Sequence, residues 1–496
     1  MSTNQFILAI DQGTSSTKTI IFDSEGKAIA RASEPLKTNY LNDGFVEQDP
    51  EDIYQNVLAS VKACLNKFEA DGGNLQDIKC TGISNQRETF VVWDASGKSL
   101  HNAVVWQCKR SVQICERLKQ ENLNQLVQSK TGLVIDPYFS ATKLLWLKEN
   151  REAISEAIEN GDAFFGTIDT WLLFKLTNGR HYATDYTNAS RTMLFNLHNL
   201  HWDIDIINRM GLAGIKLPLL QSSSSFFGST NFNGLLPAPV DITAMIGDSH
   251  AAAFGEGCFE AGTAKATLGT GCSILMNIGE KPVNSANGMV ATICWSTENT
   301  VNYALEGVIV SCGATIEWLK NELMFFKDSG ETEAMATSVS DNGGVYMVPA
   351  FSGLGSPHWQ MERRASITGM NFGTTKNHIV RAALESIPYQ VMDVIMAMEK
   401  DAALSLKELM ADGGMTANLF VMQFIADLLN KNVVSIPMPD VSALGAAYMA
   451  GLKAGVYENI TALKKLNSDK KSYHPGSGVD AVAKNYEEWQ RVIQGC

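Results

Sequence analysis

Over the first fifty positions apolar residues fall into three short runs, Phe6 to Ile10, Thr17 to Phe22 and Lys27 to Ala32. They are parted by the polar stretches Asp11-Gln12-Gly13-Thr14-Ser15-Ser16 and Ser24-Glu25-Gly26. Runs of that length bounded by Gly-containing turns predict a β-meander. The period then changes. Ile53, Val57, Leu58, Val61, Cys64, Leu65 and Phe68 recur at helical spacing behind Asp49, a capping residue, and Pro50, which suits a first helical position. Strand hairpins feeding a helix are an α/β signature.

The opening pattern returns weakly near the middle of the chain. Ala261 to Pro282 reads as strand, Gly269-Thr270-Gly271 turn, strand and a second Gly turn. Between the halves, Gly247 to Ala266 is rich in Gly and Ala, which suits close packing and hinge movement. The expected boundary is near 255, giving domains 1–255 and 256–496. Further on, Asp412-Gly413-Gly414 precedes an apolar-periodic helix beginning near Asn418, whose N-terminal amides are expected to face a ligand. Val441 to Gly451 reads as a helix of small residues packed tightly against a neighbour.

A chain of 496 residues is too long for one core, in keeping with two domains. With a net charge of −13 and no Lys/Arg run, a general nucleic-acid binder is not expected. The nine cysteines are odd in number and lack a C-x-x-C pair, which disfavours a disulfide framework and a zinc site. The start of the chain has no basic segment and only a five-residue apolar run, so neither signal peptide nor membrane span is expected, and cytoplasm is the expected compartment.

No G-x-x-x-x-G-K-[ST] phosphate loop and no protein-kinase motif set occurs. The Asp11 to Ser16 turn offers instead a carboxylate for Mg²⁺, a Gly for close backbone approach, and the hydroxyls of Thr14, Ser15 and Ser16 for phosphate oxygens. Gly269-Thr270-Gly271 is a second such turn. Each alone reads better as an ordinary hairpin turn without function. Together with Asp412-Gly413-Gly414 they give the pattern of the two-domain actin, Hsp70 and sugar-kinase ATPase fold, with nucleotide and acceptor in the interdomain cleft.

The segments ISNQRETFVVWD, HNAVVWQCKR, TGLVIDPYFSATKLLWL, TDYTNASRTMLFN, YALEGVIVSCGATIEWL and LMADGGMTANLFVMQF resemble the FGGY carbohydrate kinases, their glycerol kinases most nearly, over essentially the whole chain. The resemblance implies ATP- and Mg²⁺-dependent phosphorylation of a primary hydroxyl of glycerol or a related polyol, by a homo-oligomer (dimer or tetramer). It implies an acceptor site of Arg87, Glu88, Trp106, Tyr138 and Asp248, with Asp248 as the base. It implies nucleotide contacts at Thr14, Lys18, Thr270, Gly313, Glu317, Gly414 and Asn418, with Asp11 near the metal. A cation beside carboxylates is what a polyol's hydroxyls need, since each is both donor and acceptor.

Two departures fall in that acceptor pocket. Ser249, in Gly247-Asp248-Ser249-His250, stands where glycerol kinases carry Gln, and Ser273 where they carry Phe. About eight side-chain heavy atoms of wall are thereby lost, room for a larger polyol or a ketose such as xylulose. Lys18 stands where glycerol kinases usually have Arg, which loses a bidentate fork but keeps a point charge. A non-catalytic nucleotide-dependent binding protein would share the hairpin turns without needing the acceptor set.

Overall fold

The computed structural model describes residues 5–436, 440–466 and 470–495; Cys496 and the first four residues lie outside them. The three predicted runs form strands β1 (Phe6–Gln12), β2 (Ser16–Asp23) and β3 (Ala28–Pro35). β2 pairs antiparallel with both neighbours. Helix α1 (Pro50–Ala70) begins where expected, with the Asp49 carboxylate accepting from the amides of Glu51 and Asp52. Strands β4 (Ile78–Asn85), β5 (Ser224–Thr230) and β6 (Val240–Gly247) complete a six-stranded sheet in the order β5-β6-β4-β1-β2-β3. Because β1, β4 and β6 are parallel, their carboxyl ends lie on one edge. Helix α2 (Asp248–Glu256) follows β6 without a linker.

The second half repeats this plan. Strands β7 (Thr263–Leu268), β8 (Cys272–Gly279), β9 (Val290–Ser296) and β10 (Val301–Ile309) form antiparallel pairs β7-β8, β8-β10 and β9-β10. Helix α3 (Gly313–Asn321) and the long α4 (Lys376–Ala402) lead to β11 (Glu408–Asp412). Then come α5 (Leu419–Leu429), β12 (Asn432–Ser435), α6 (Val441–Lys453) and β13 (Lys471–Tyr473). β7, β11 and β12 run parallel, as β1, β4 and β6 do. The sheet order is β9-β10-β8-β7-β11-β12-β13. The two Gly-containing hairpins therefore occupy equivalent places in two related sheets.

Helices α2 and α6 join the halves, and their small residues explain how. A Cβ on Gly445 would sit 1.8 Å from the Ala251 carbonyl oxygen, and one on Gly255 would sit 2.4 Å from that of Val441. Backbone meets backbone there. On its other side α6 closes over the first sheet, where Ala443, Leu444, Ala446 and Ala447 share a core with Ile7, Ala9, Cys80 and Ile246. A cut at 255 thus divides the sheets but not the packing.

Helical propensity favours Gly445→Ala by about 1 kcal/mol, yet the clash is with backbone that cannot swing aside, and overpacking of this kind costs about 1–3 kcal/mol or more. The variant should unfold at lower urea concentration than the parent; an unchanged or higher midpoint would contradict the close crossing.

Candidate functional site

The site follows from strand register. Asp11 lies opposite Ser84 across β1 and β4, and Ser84 lies opposite Ile246 across β4 and β6. The next residues along each strand therefore emerge side by side: Asp11, then Arg87 and Glu88 beyond β4, then Asp248 beyond β6. Carboxyl ends of parallel strands are where α/β sheets bind ligands. The Ser84 hydroxyl donates to Asp11 Oδ1 at 3.0 Å. Glu88 has left-handed backbone (φ 59°), a strain of about 1–3 kcal/mol for a non-glycine residue. The Ser140 hydroxyl, donating to the Glu88 carbonyl at 2.8 Å, helps hold it there.

Arg87 and Glu88 are both buried. Arg87 donates Nη1 and Nη2 to the two carboxylate oxygens of Glu306 at 3.2 and 3.0 Å, and its Nε lies 3.3 Å from Asp248 Oδ1. Arg191 donates Nε to Glu88 Oε1 at 2.6 Å. Its Nη1 lies 2.7 Å from Glu306 Oε2, an ion pair outside hydrogen-bond alignment. Burial alone would raise the Glu306 carboxyl, but Arg191 and Arg87 hold it well below the usual carboxylate range. Glu306, on β10, and Arg191, after the helix at Tyr186–Ala189, are site residues that sequence reasoning missed.

Trp106 and Tyr138 are half-buried and meet edge to face, with centroids 5.6 Å apart. The Trp106 indole donates to the Thr14 hydroxyl at 2.9 Å, so that hydroxyl is turned towards the aromatic wall. Buried Lys143 donates to the carbonyls of Pro137 and Tyr138 at 2.9 and 2.6 Å and so fixes the Tyr138 backbone. The Ser273 hydroxyl donates to Glu306 Oε1 at 3.2 Å, across the β8–β10 pairing of Leu275 with Glu306. Ser249 is half-buried. His250 is fully buried with Nδ1 unpartnered; burial, then Arg87, push it well below its ordinary range, so the ring is neutral.

On the second-half side, the Gly269-Thr270-Gly271 turn packs onto the start of α3. Gly269 O accepts from Gly313 N at 2.9 Å, and Thr270 O accepts from Cys312 N and Ala314 N at 2.9 and 3.0 Å. The Thr270 side chain remains exposed. Gly414, Met415 and Asn418 line a cavity of about 130 Å³ with Ile316, Thr332 and Glu333. Three of the expected features have partners within the chain. At the start of α5, Leu419 N donates to Glu333 Oε2 at 2.8 Å and Val421 N to the Asn418 side chain at 3.1 Å. Glu317 pairs with Lys320 at the surface, one residue after Ile316 of the cavity lining. Lys18 lies 3.3 Å from Asp440, so its charge is already paired. Ser15 is exposed and Ser16 half-buried at the first turn.

The donors present fit a hard divalent cation. Asp11 is half-buried, and burial followed by the nearby Asp248 charge pushes its carboxyl up to about 6. Two repelling carboxylates call for a cation. Among the described residues no cluster of three or more His, Cys, Asp or Glu could cage a metal. A lone carboxylate such as Asp11 would supply only part of a coordination shell, the share that suits Mg²⁺ held largely by phosphate and water.

Residues 6–255 match the N-terminal domain, and residues 264–454 the C-terminal domain, of the FGGY family of carbohydrate kinases. The chain is 44% identical over 493 residues to a glycerol kinase of Petrotoga mobilis, covering 99% of this chain and 98% of that one. It superposes with a TM-score of 0.93 and 34% identity on a Plasmodium falciparum glycerol kinase solved with ADP, covering 99% and 98%. A ligand-bound xylulose kinase from Lactobacillus acidophilus, 20% identical and covering 99% of each chain, shares the fold with a TM-score of 0.88.

The raised Asp11 carboxyl gives a sign-definite test. Below pH 3.8 Asp11 is protonated folded or unfolded; as pH rises through 6 its ionisation destabilises the metal-free fold. The cost is ~2 kcal/mol once partial solvent screening is allowed for. Asp11→Asn should therefore raise the metal-free melting temperature at pH 7.5, lose that advantage between pH 6 and pH 4, and remove stabilisation by Mg²⁺. A variant melting below the parent at pH 7.5 would contradict the repulsive pair.

Proposed function

Because the chain belongs to the FGGY family of carbohydrate kinases, we propose that it transfers the γ-phosphoryl group of ATP to a primary hydroxyl of glycerol, giving glycerol 3-phosphate and ADP. The observation that carries the reading is the convergence of Arg87, Glu88 and Asp248 beside the Trp106–Tyr138 wall. Arg87 and Glu88 bind the polyol's hydroxyls as donor and acceptor, while the aromatic rings cover its carbons. Asp248 takes the proton as the hydroxyl attacks. Its 3.3 Å contact with Arg87 Nε orients the carboxylate without a bidentate clamp.

Asp11, with Ser84 behind it, would hold Mg²⁺; that ion neutralises charge on the transferring phosphate. The nucleotide's phosphates lie between the two Gly turns, and its adenosine lies in the cavity at Gly414 and Asn418. Lys18 serves the phosphate only by leaving Asp440, a weaker role than a free cation would have. The reading includes a cytoplasmic homo-oligomer. The eight described cysteines are free and buried, which supports a reducing compartment, and no described helix is long and apolar enough to cross a membrane. Ser249 and Ser273 favour a second acceptor, a tetritol or ketose, alongside glycerol.

A coupled ADP assay over glycerol, a tetritol, a pentitol and a ketopentose tests the reading, with the phosphate then located on the product. Glycerol-dependent ADP release is expected, and its absence from every acceptor would overturn it. Asp248→Asn should lower kcat by about 10²- to 10⁴-fold with ADP affinity retained; near-parental turnover would remove Asp248 from the chemistry.

A further inference from the structure

Glu306 is supplied by β10 of the second sheet, yet all its charged partners belong to the first half of the chain. It is 3% exposed and meets Arg87 with both oxygens, Arg191 with one and the Ser273 hydroxyl with the other. Arg87 has five N–H donors. Glu306 takes two and Asp248 Oδ1 faces a third, so two remain for an acceptor's oxygens. Arg191 uses one of the two Glu88 oxygens, and the other can accept from a hydroxyl. The direction in which Arg87 and Glu88 present their free groups is thus set by one carboxylate delivered from across the cleft.

We propose that Glu306 is a positioning residue for the acceptor: by holding Arg87 directly and Glu88 through Arg191, it makes the polyol site complete only when the two sheets are apposed. The proposal rests on the polyol-kinase reading above. Removing its charge leaves two buried guanidiniums with one fewer anion. Arg87 then keeps the Asp248 ion pair but loses its two-pronged anchor, which disorders acceptor binding, while the Gly269-Thr270-Gly271 turn stays fastened to the start of α3 by backbone hydrogen bonds that do not use the Glu306 side chain.

The test varies glycerol and ATP separately in a coupled ADP assay on full-length parent, Glu306→Gln, Glu306→Asp and Arg191→Lys, with ADP binding measured by calorimetry. Glu306→Gln should raise the glycerol KM by about tenfold or more, leaving the ATP KM and ADP affinity within about twofold, because the lost contacts act on the acceptor alone. Glu306→Asp, which keeps the charge, should recover part of that loss. Arg191→Lys keeps the charge count and carries the test even where Glu306→Gln fails to fold; it should raise the glycerol KM about threefold or more through Glu88. An unchanged glycerol KM, or equal losses for both substrates, would overturn the proposal while the parent's activity left the kinase reading intact. A parent inactive on every polyol would instead fail the reading itself.

Discussion

The contact between the Glu306 carboxylate and the guanidiniums of Arg87 and Arg191 is the interaction on which the candidate acceptor site depends. An isolated charge costs several kcal/mol to bury, so none of these groups could sit here alone. Two guanidiniums against the three carboxylates of Glu306, Glu88 and Asp248 leave one negative charge, and every member has a partner of opposite sign. Each position therefore constrains the others. The strained backbone at Glu88 and the bridging hydroxyl of Ser273 persist within the same arrangement.

That network forms because two similar sheets are joined through a close helix crossing. Gly445 against Ala251 and Gly255 against Val441 let α2 and α6 touch through backbone. The first residue of α2 is Asp248 itself, so the close-packed joining helix and the candidate base are one piece of structure. Parallel strands β1, β4 and β6 then set Asp11, Arg87 and Asp248 along one edge, and β10 brings Glu306 to meet them.

Much of the architecture was legible in the sequence because it follows from local patterns. The alternating runs at residues 6–32, the Asp49-Pro50 helix start and the two Gly turns each rest on neighbouring residues. Small residues at 441–451 likewise predicted a tight helix contact, although not that the helix would cover the other half's sheet. What could not be read was who meets whom over long separations. Glu306 sits in a strand pattern and Arg191 in a polar loop; neither looks like a site residue until Arg87, 219 positions before Glu306, is placed beside it. The partner of the first α5 amide was hidden in the same way, since Glu333 arrives from 86 residues upstream to occupy it. A buried charged residue embedded in an apolar strand, as in Tyr303-Ala304-Leu305-Glu306-Gly307, is the one signal that could have pointed to Glu306.

A crystal structure of the chain with ADP, Mg²⁺ and glycerol would probe the trans-cleft acceptor site most directly. The polyol's hydroxyls should lie within hydrogen-bond reach of Arg87 and Glu88 against the Trp106–Tyr138 wall, with Glu306 still holding both guanidiniums. Glycerol seated away from these residues, or Arg87 swung off Glu306 in the occupied site, would contradict it.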